Sequence, residues 1–155
     1  MGHARTHHHR GRSGRIRRLV RDYNPLHTDE EFARRTQFGG RIFHGPGVFA
    51  IAIGLESRLG LKDGTALAFL GMKWNLSAPV RIGDTIRVMQ RVAEVKPSRS
   101  KPDRGVVTFD VEVLNQSDEI CQHGQWIVMF RREGPSARHG GTDQPATSPQ
   151  LTTRI

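Results

Sequence analysis

The sequence predicts an α+β protein, in which an antiparallel β-sheet wraps around one long buried helix. Two observations lead to this fold class. Residues 48–55 are continuously apolar, at a length that suits a buried helix. Several segments of β-type composition follow, and in residues 107–113 apolar and polar side chains alternate. A helix followed by a series of strands is typical of a layered α+β fold.

The first predicted element is a turn that leads into a short helix. Pro25 lacks a backbone N–H and biases Asn24 away from helical angles, so residues 22–27 are expected to form a turn. Thr28 is the predicted N-cap of the following helix, because Glu31 stands three residues later, as in a capping box.

The long helix is predicted to begin at Pro46 and to stop before Gly60. It has no polar residue until Glu56, which predicts burial on every side. A helix of about 14 residues is roughly 21 Å long, which is too short to cross a bilayer. The unpaired N–H groups of its first turn, at Gly45 and Gly47, can stabilise negative charge on an oxygen atom.

Four β-strands are predicted after this helix. In the last of them Trp126, Val128 and Phe130 share one face, which is expected to be the buried face. The predicted strands are Thr65–Asn75, Thr85–Val95, Val107–Val113 and Gln122–Arg131.

Candidate catalytic groups lie on the turn and at the start of the long helix. Asp22 and His27 place a carboxylate and an imidazole five residues apart, and such a pair can take and deliver protons. Gly45 can offer its N–H to a developing oxyanion. Structural interpretations remain open as well. Asp22 and Asn24 can cap a turn, His27 can pack beside a helix start, and Gly45 can serve a close backbone approach.

Three short segments together resemble the hydratase signature of MaoC-like dehydratases, a family that includes (R)-specific enoyl-CoA hydratases. They are residues 22–29, 38–39 and 42–45, and residues 78–84 also resemble the mid-sheet segment of that family. The resemblance extends over residues 22–132. It implies a hotdog fold, with the long helix inside the antiparallel sheet. It also implies a homodimer or higher homo-oligomer, with the active site near the subunit interface.

The resemblance further implies a reaction. A hydro-lyase of this kind reversibly adds water to the double bond of an enoyl-CoA thioester and gives a 3-hydroxyacyl-CoA. Asp22 and His27 would hold the water, the N–H of Gly45 would bind the thioester oxygen, and Asn24 would orient the pair. No metal or cofactor is expected, since CoA is part of the substrate. The alternatives are a hotdog acyl-CoA thioesterase and a catalytically impaired relative with a basic nucleic-acid-binding arm.

Residues 1–21 depart from the family pattern, which normally has a strand and a helix here and often ends in Ser-Gly or Thr-Gly before the aspartate. This segment contains no acidic residue, and its arginines supply seven of the nine net positive charges of the chain. Three explanations compete: an arm that binds nucleic acid or another anionic surface, a targeting sequence, and a segment read out of frame.

We favour the out-of-frame explanation for this Arg- and His-rich segment. Codons can be chosen for residues 8–21 that, read in another frame, encode a more apolar segment ending in Ser-Gly, similar to the lead-in helix of the family. A chain made as written would then lack that helix and would hold Asp22 poorly. A nucleic-acid partner is therefore not expected.

Length and composition set the remaining expectations. The 155 residues suffice for one domain, placed at residues 22–132, and residues 133–155 are predicted to be a disordered tail because they hold few large apolar residues. Cys121 is the single cysteine, which excludes an internal disulfide and fits a reducing cytoplasm. No secretory or membrane segment is evident. A cytoplasmic location without a membrane partner is therefore expected.

Overall fold

A long helix packed against an antiparallel sheet dominates the fold. In the computed structural model the described residues are 15–16, 18–132 and 151–154. Named in chain order, the elements are α1 (Pro25–Thr28), α2 (Glu30–Arg34), α3 (Gly45–Ser57), β1 (Ala66–Leu76), β2 (Arg87–Pro97), β3 (Arg104–Leu114), β4 (Ile120–Arg131) and β5 (Leu151–Arg154). The predicted α+β class is confirmed.

The sheet places the strands in the order β1-β4-β3-β2-β5, and each of these neighbouring pairs is antiparallel. The four predicted strands are present as β1 to β4, with ends displaced by a few residues. Strands β1 and β5 form the two edges of the described sheet.

Helix α3 packs on the sheet through one side only. Val48, Ala52 and Leu55 are buried against the strands, where Trp126 and Val128 are buried as predicted. On the other side of the helix the side chain of Ile53 is 39% exposed. Burial on every side, which the apolar sequence predicts, is therefore not reached within the single chain. No described element covers the outer side.

The turn around Pro25 is more helical than the sequence predicts. Residues Pro25–Thr28 form the single helical turn α1, and His27 lies on it. Asn24 keeps the extended conformation expected before a proline and caps the turn. Proline fits the first helical position because the missing N–H is not needed there. The prediction of a non-helical segment is therefore wrong for residues 25–27.

Helix α2 is capped by Asp29 rather than by Thr28. Oδ1 of Asp29 accepts a hydrogen bond of 3.1 Å from the N–H of Phe32. The hydroxyl of Thr28 instead donates to backbone carbonyls of the preceding turn. The predicted capping box between Thr28 and Glu31 is wrong, because Thr28 is already the last residue of α1.

The described part of the N-terminal segment is helical. Residues 15–16 and 18–20 adopt helical geometry, and Ile16 packs against the hydrophobic core. The chain as written thus has helical structure ahead of Asp22, where the prediction expected a missing helix. Arg21 follows with a φ of +54°, a left-handed conformation that favours glycine. The remaining residues of this predicted segment, 1–14 and 17, lie outside the described residues.

Part of the predicted C-terminal tail pairs with the sheet. Leu151–Arg154 forms β5 along the outer edge of β2, with Arg87 opposite Arg154. The prediction of a wholly disordered tail is therefore wrong for these four residues. An unpaired edge offers backbone groups that a β-branched segment such as Thr152-Thr153 can satisfy. Residues 133–150 and 155 lie outside the described residues.

Among the described residues, no helix is both long enough and apolar enough to cross a membrane.

Candidate active site

Asp22 is held at the start of the site by a local turn. Its Oδ1 accepts a hydrogen bond of 3.0 Å from the backbone N–H of Asn24. The Asn24 side chain turns the other way, and its Oδ1 accepts from the N–H of Leu26 at 3.0 Å. Asn24 therefore orients Asp22 through its backbone, while its side chain caps α1. The second carboxylate oxygen of Asp22 is left free to face His27.

His27 is fixed by a contact from a distant part of the chain. Its Nδ1 lies 3.0 Å from the carbonyl oxygen of Ile42. A carbonyl only accepts, so Nδ1 carries the proton. In the neutral ring this leaves a bare lone pair on Nε2. The His27 side chain is 13% exposed, compared with 46% for Asp22.

The free atoms of the two side chains face each other across a gap. Nε2 of His27 lies 3.6 Å from Oδ2 of Asp22. This distance is too long for a direct hydrogen bond, and with a neutral imidazole both atoms are acceptors. A group that donates two hydrogen bonds can bridge such a pair of acceptors. A water molecule has this property.

His44 also belongs to the site, because it contacts both His27 and Asp22. The prediction did not include it among the site residues. It is fully buried, and its ring stacks on that of His27 with centroids 3.9 Å apart. Its Nε2 donates to the backbone carbonyl of Asp22 at 3.0 Å. His44 therefore fixes both the ring plane of His27 and the backbone of Asp22. Its position directly before Gly45 was the one feature of the sequence that could have indicated this role.

Gly45 begins helix α3 immediately after His44, which is the N-cap. A Cβ atom at Gly45 would overlap the side chain of Leu76 on β1. A larger residue would therefore fit here only if the exposed Leu76 side chain moved. The φ of Gly45 is not positive, so backbone conformation does not explain why glycine stands here. Pro46 contributes no N–H, and the amide groups of Gly45 and Gly47 lie at the positive end of the helix.

A pocket of about 230 Å³ opens beside Gly45. Its wall is mostly apolar and joins three parts of the chain: the segment before α3, the helix itself and the end of β1. Gln122 on β4 also lines it, and this residue is only 2% exposed. An apolar pocket next to unpaired N–H groups suits a small acyl group with one polarisable oxygen.

Asp22, His27 and His44 also bring one ligand atom each to within 4.8 Å of one another, as a metal site would. The hydrogen bonds argue against a metal here. Nε2 of His44 is the ring nitrogen that faces the Asp22 carboxylate, at 4.0 Å from Oδ2. It carries the hydrogen of its bond to the Asp22 carbonyl and so has no lone pair to give to a metal. Asp22 and His27 alone are fewer than the three or four protein ligands that zinc sites use. The geometry therefore does not fit a resident metal.

A comparison with protein families assigns the chain to one of them. The family model described as MaoC like domain matches residues 16–115. This protein belongs to the MaoC-like dehydratase family. The match begins a few residues ahead of the predicted domain start at residue 22, at the helical residues that include Ile16.

Two relatives carry names for their activity. The MaoC-like chain is 41% identical over 113 residues to a 3-hydroxybutyryl-CoA dehydratase of Methylorubrum extorquens, over 71% of this chain and 65% of that protein. It is 30% identical over 111 residues to an (R)-specific enoyl-CoA hydratase of Aeromonas caviae, over 71% of this chain and 77% of that protein. The chain thus spans just under two thirds of the first relative.

A solved structure supports the same assignment. The MaoC-like dehydratase of Rhodospirillum rubrum superposes with a TM-score of 0.68 at 33% identity, over 78% of this chain and 85% of that chain. The predicted hotdog fold is thereby confirmed. The long helix differs from the prediction in one respect, because its outward side is exposed in this chain rather than buried.

Proposed function

We propose that this protein is an enoyl-CoA hydratase, which reversibly adds water to an enoyl-CoA thioester and gives a 3-hydroxyacyl-CoA. One observation carries the proposal. The lone pairs of Asp22 and His27 face each other across 3.6 Å beside the N-terminus of α3. The relatives named 3-hydroxybutyryl-CoA dehydratase and (R)-specific enoyl-CoA hydratase support it.

In this reaction Asp22 and His27 hold the water and move its proton. As the water oxygen bonds to C3, the π electrons of the double bond shift toward the thioester, and the pair accepts one proton from the water. The pair then returns a proton to C2, so that the net change is the addition of one water. The bond from His27 Nδ1 to the Ile42 carbonyl keeps Nε2 available as the base.

The N–H of Gly45 stabilises the enolate in the same reaction. Negative charge develops on the thioester oxygen when water attacks, and a fixed donor in a partly buried site lowers the energy of that state. Glycine suits this position sterically, because a side chain there would overlap that of Leu76. Asn24 supports the reaction through its backbone bond to Asp22 rather than by touching the substrate.

We also propose a homodimer that joins along β1. The outer edge of β1 has no partner strand in the described sheet. Its exposed apolar side chains include those of Leu67, Phe69, Leu70 and Met72, which are 39% to 51% exposed. Such an edge is stable in water when another strand covers it. Sedimentation at the mass of a monomer would contradict this arrangement.

The substrate and location follow from the same proposal. The acyl-CoA thioester brings CoA with it, so the reaction needs no separate cofactor. A cytoplasmic location suits the thiol of Cys121, which is buried and unpaired, because a reducing compartment keeps thiols reduced.

Hydration of crotonyl-CoA, followed as loss of enoyl absorbance, tests the reaction. Asp22→Asn removes a proton acceptor, and His27→Ala removes the other. Each is expected to lower kcat/KM by about 100-fold or more, because general acid–base groups contribute on that scale. Asp29→Asn is the matched control. It changes a carboxylate to an amide seven residues from Asp22, and asparagine caps a helix as well as aspartate does.

Release of free CoA separates hydration from thioester hydrolysis. A thiol reagent added to the same reaction is expected to detect no free CoA. Background from the protein is small, because burial and then the charge of Glu119 raise the pKa of the Cys121 thiol. The opposite result would be free CoA formed at the rate of substrate loss, with the same release in Asp22→Asn. That result would mean that the protein is a thioesterase rather than a hydratase.

A further inference from the structure

We propose that Gln122 is a positioning residue that aims the N–H of Gly45, and that Trp74 sets its orientation. The proposal rests on the hydratase function for its kinetic consequences. It concerns a hydrogen-bonded chain from β1 through β4 to the first residue of α3. The chain of bonds is defined by its three members, Trp74, Gln122 and Gly45, and is called the amide relay below.

The relay has two hydrogen bonds. The indole Nε1–H of Trp74 donates to Oε1 of Gln122 at 2.9 Å. Nε2 of Gln122 donates to the backbone carbonyl of Gly45 at 3.0 Å. Both ends of the buried amide are thus engaged. The relay joins residues 48 and 77 positions apart in the sequence.

The partners fix which way the amide of Gln122 points. An indole N–H only donates, and a backbone carbonyl only accepts. Oxygen must therefore face Trp74 and nitrogen must face Gly45. Rotation of the amide by half a turn would break both bonds and would leave buried polar groups unsatisfied, which is costly. Trp74 thus determines that Gln122 offers a donor to the helix start.

Gly45, whose carbonyl accepts this bond, lies where the backbone has few other restraints. Gly45 has no side chain to restrict its backbone, and Pro46 and Gly47 follow it at the start of α3. The His44 side chain forms no capping bond to this helix. A bond from a rigid strand to the Gly45 carbonyl therefore limits rotation of this residue. The Gly45 N–H lies in the preceding peptide plane, whose carbonyl, that of His44, accepts from the N–H of Val48 at 3.0 Å. The two planes meet at the Cα of Gly45. Holding the Gly45 carbonyl therefore limits the φ and ψ rotation through which the oxyanion donor could turn.

Gln90 on β2 shows that burial alone does not give a glutamine this role. Its side chain is 4% exposed, close to the 2% of Gln122. Among the side chains and backbone groups that the structure describes, neither polar atom of the Gln90 amide has a hydrogen-bond partner. The two residues therefore have the same type and burial but opposite bonding. Gln90 provides the matched control for every substitution at Gln122.

Gln122→Met is the first test, because methionine has a similar length and no donor. We expect kcat for crotonyl-CoA hydration to fall by about 10-fold, less than the loss of an oxyanion donor itself. KM is expected to stay within about 2-fold, since methionine has a similar length and keeps the contact area that Gln122 gives to the pocket wall. Gln90→Met is expected to leave both constants unchanged. Trp74→Phe removes the orienting donor and is expected to give an intermediate fall in kcat.

Gln122→Glu adds a pH signature that a purely structural residue would not produce. A protonated carboxyl group can accept from Trp74 and donate to the Gly45 carbonyl. The ionised group can only accept, so the bond to Gly45 is lost and two oxygens repel. Burial keeps the pKa of this carboxyl above its ordinary value of about 4.3. The ratio of kcat to that of the unmodified protein should therefore fall as pH rises, whereas the ratio for Gln122→Met should be flat.

Glycine-labelled NMR tests the relay without any substrate. We expect the Gly45 amide signal to shift in Gln122→Met and Trp74→Phe, and to stay in place in Gln90→Met. An unchanged Gly45 signal in both relay variants would overturn the proposal. A shifted signal with unchanged kcat and an unchanged pH ratio would overturn the catalytic part. Absence of hydration by the unmodified protein would contradict the proposed function instead, and the NMR result would still decide the relay.

Discussion

The two sides of the site are built in different ways. Asp22 and Asn24 are exposed, and their bonds join residues only two positions apart. Gly45 and Gln122 are joined across 77 positions, and the glutamine is buried. The proposed proton-transfer side thus depends on local turn chemistry, whereas the proposed oxyanion side depends on the assembled core. His27 and His44 connect the two sides through their stacked rings.

This difference predicts where substitutions act. Changes on the core side should alter the reaction strongly even when the residue touches no proton that moves. Changes on the turn side, apart from Asp22 and His27, should alter stability more than chemistry. The predictions below examine this division in order of decreasing effect.

Among the changes outside the Asp22–His27 pair, Gly45→Ala should have the largest effect. The added methyl group meets the Leu76 side chain. It also stands beside the N–H that we propose donates to the thioester oxygen. We expect kcat/KM for crotonyl-CoA to fall by about 100-fold, comparable to the loss of an oxyanion donor. Leu76 is 64% exposed and can turn aside. The melting temperature is therefore expected to change little.

The double variant Gly45→Ala/Leu76→Ala tests the cause of that fall. Relief of the overlap should restore part of the activity, if crowding moved the helix start. Activity equal to that of the unmodified protein in Gly45→Ala alone would remove Gly45 from the proposed oxyanion site.

Arg21→Gly should have a smaller effect, and on stability. Arg21 has a φ of +54°, which costs a residue with a side chain roughly 1–2 kcal/mol. Glycine removes this cost but makes the unfolded chain more flexible. The net gain expected is about 0.5–1 kcal/mol, measured by denaturant unfolding. Arg18→Gly is the matched control, because residue 18 is helical and glycine there should destabilise.

Arg21 also bears on the N-terminal segment. The chain places arginine in a left-handed conformation where the resemblance leads us to expect the glycine of Ser-Gly. The out-of-frame origin of residues 1–21 stays our proposal, and this position supports it. A coding sequence whose other frames give stop codons or unrelated residues here would contradict it.

Glu30→Gln should have the smallest effect, visible as a change in pH dependence. The bond from Arg41 lowers the pKa of the Glu30 carboxyl below its usual value. A lowered pKa stabilises the fold above the ordinary carboxyl pKa of about 4.3, and this stabilisation is lost as pH falls through the lower value. Arg41 precedes Ile42, whose carbonyl holds His27. Glu30→Gln should therefore flatten the loss of stability in acid.

Unfolding midpoints at pH 3 and pH 7 measure this effect. Glu31→Gln is the control, because Glu31 is more exposed and bonds only to Arg34 on its own helix. An equal change in both variants would mean that the contact between Glu30 and Arg41 adds nothing.

Local signals in the sequence were of uneven value. The spacing placed Asp22 and His27 on one short segment, and their catalytic role stays a prediction. The caps of that segment were misplaced, because Asp29 and Thr28 are both good capping residues and only the length of α1 chooses between them. Strand β5 was missed, since four residues pair there only because β2 offers a free edge. Burial of α3 was overestimated, because one chain covers one side of it.

The sequence by itself determined the elements whose cause is local. Alternating apolar residues set the strands, proline and glycine set the ends of α3, and the spacing of Asp22 and His27 set the pair proposed to transfer protons. Tertiary structure alone decided the stacking of His44 on His27, the close approach of Leu76 to Gly45 and the bond from Gln122 to that glycine. These contacts join strands and helix across long stretches of chain. Their partners become neighbours only when the hydrophobic core assembles.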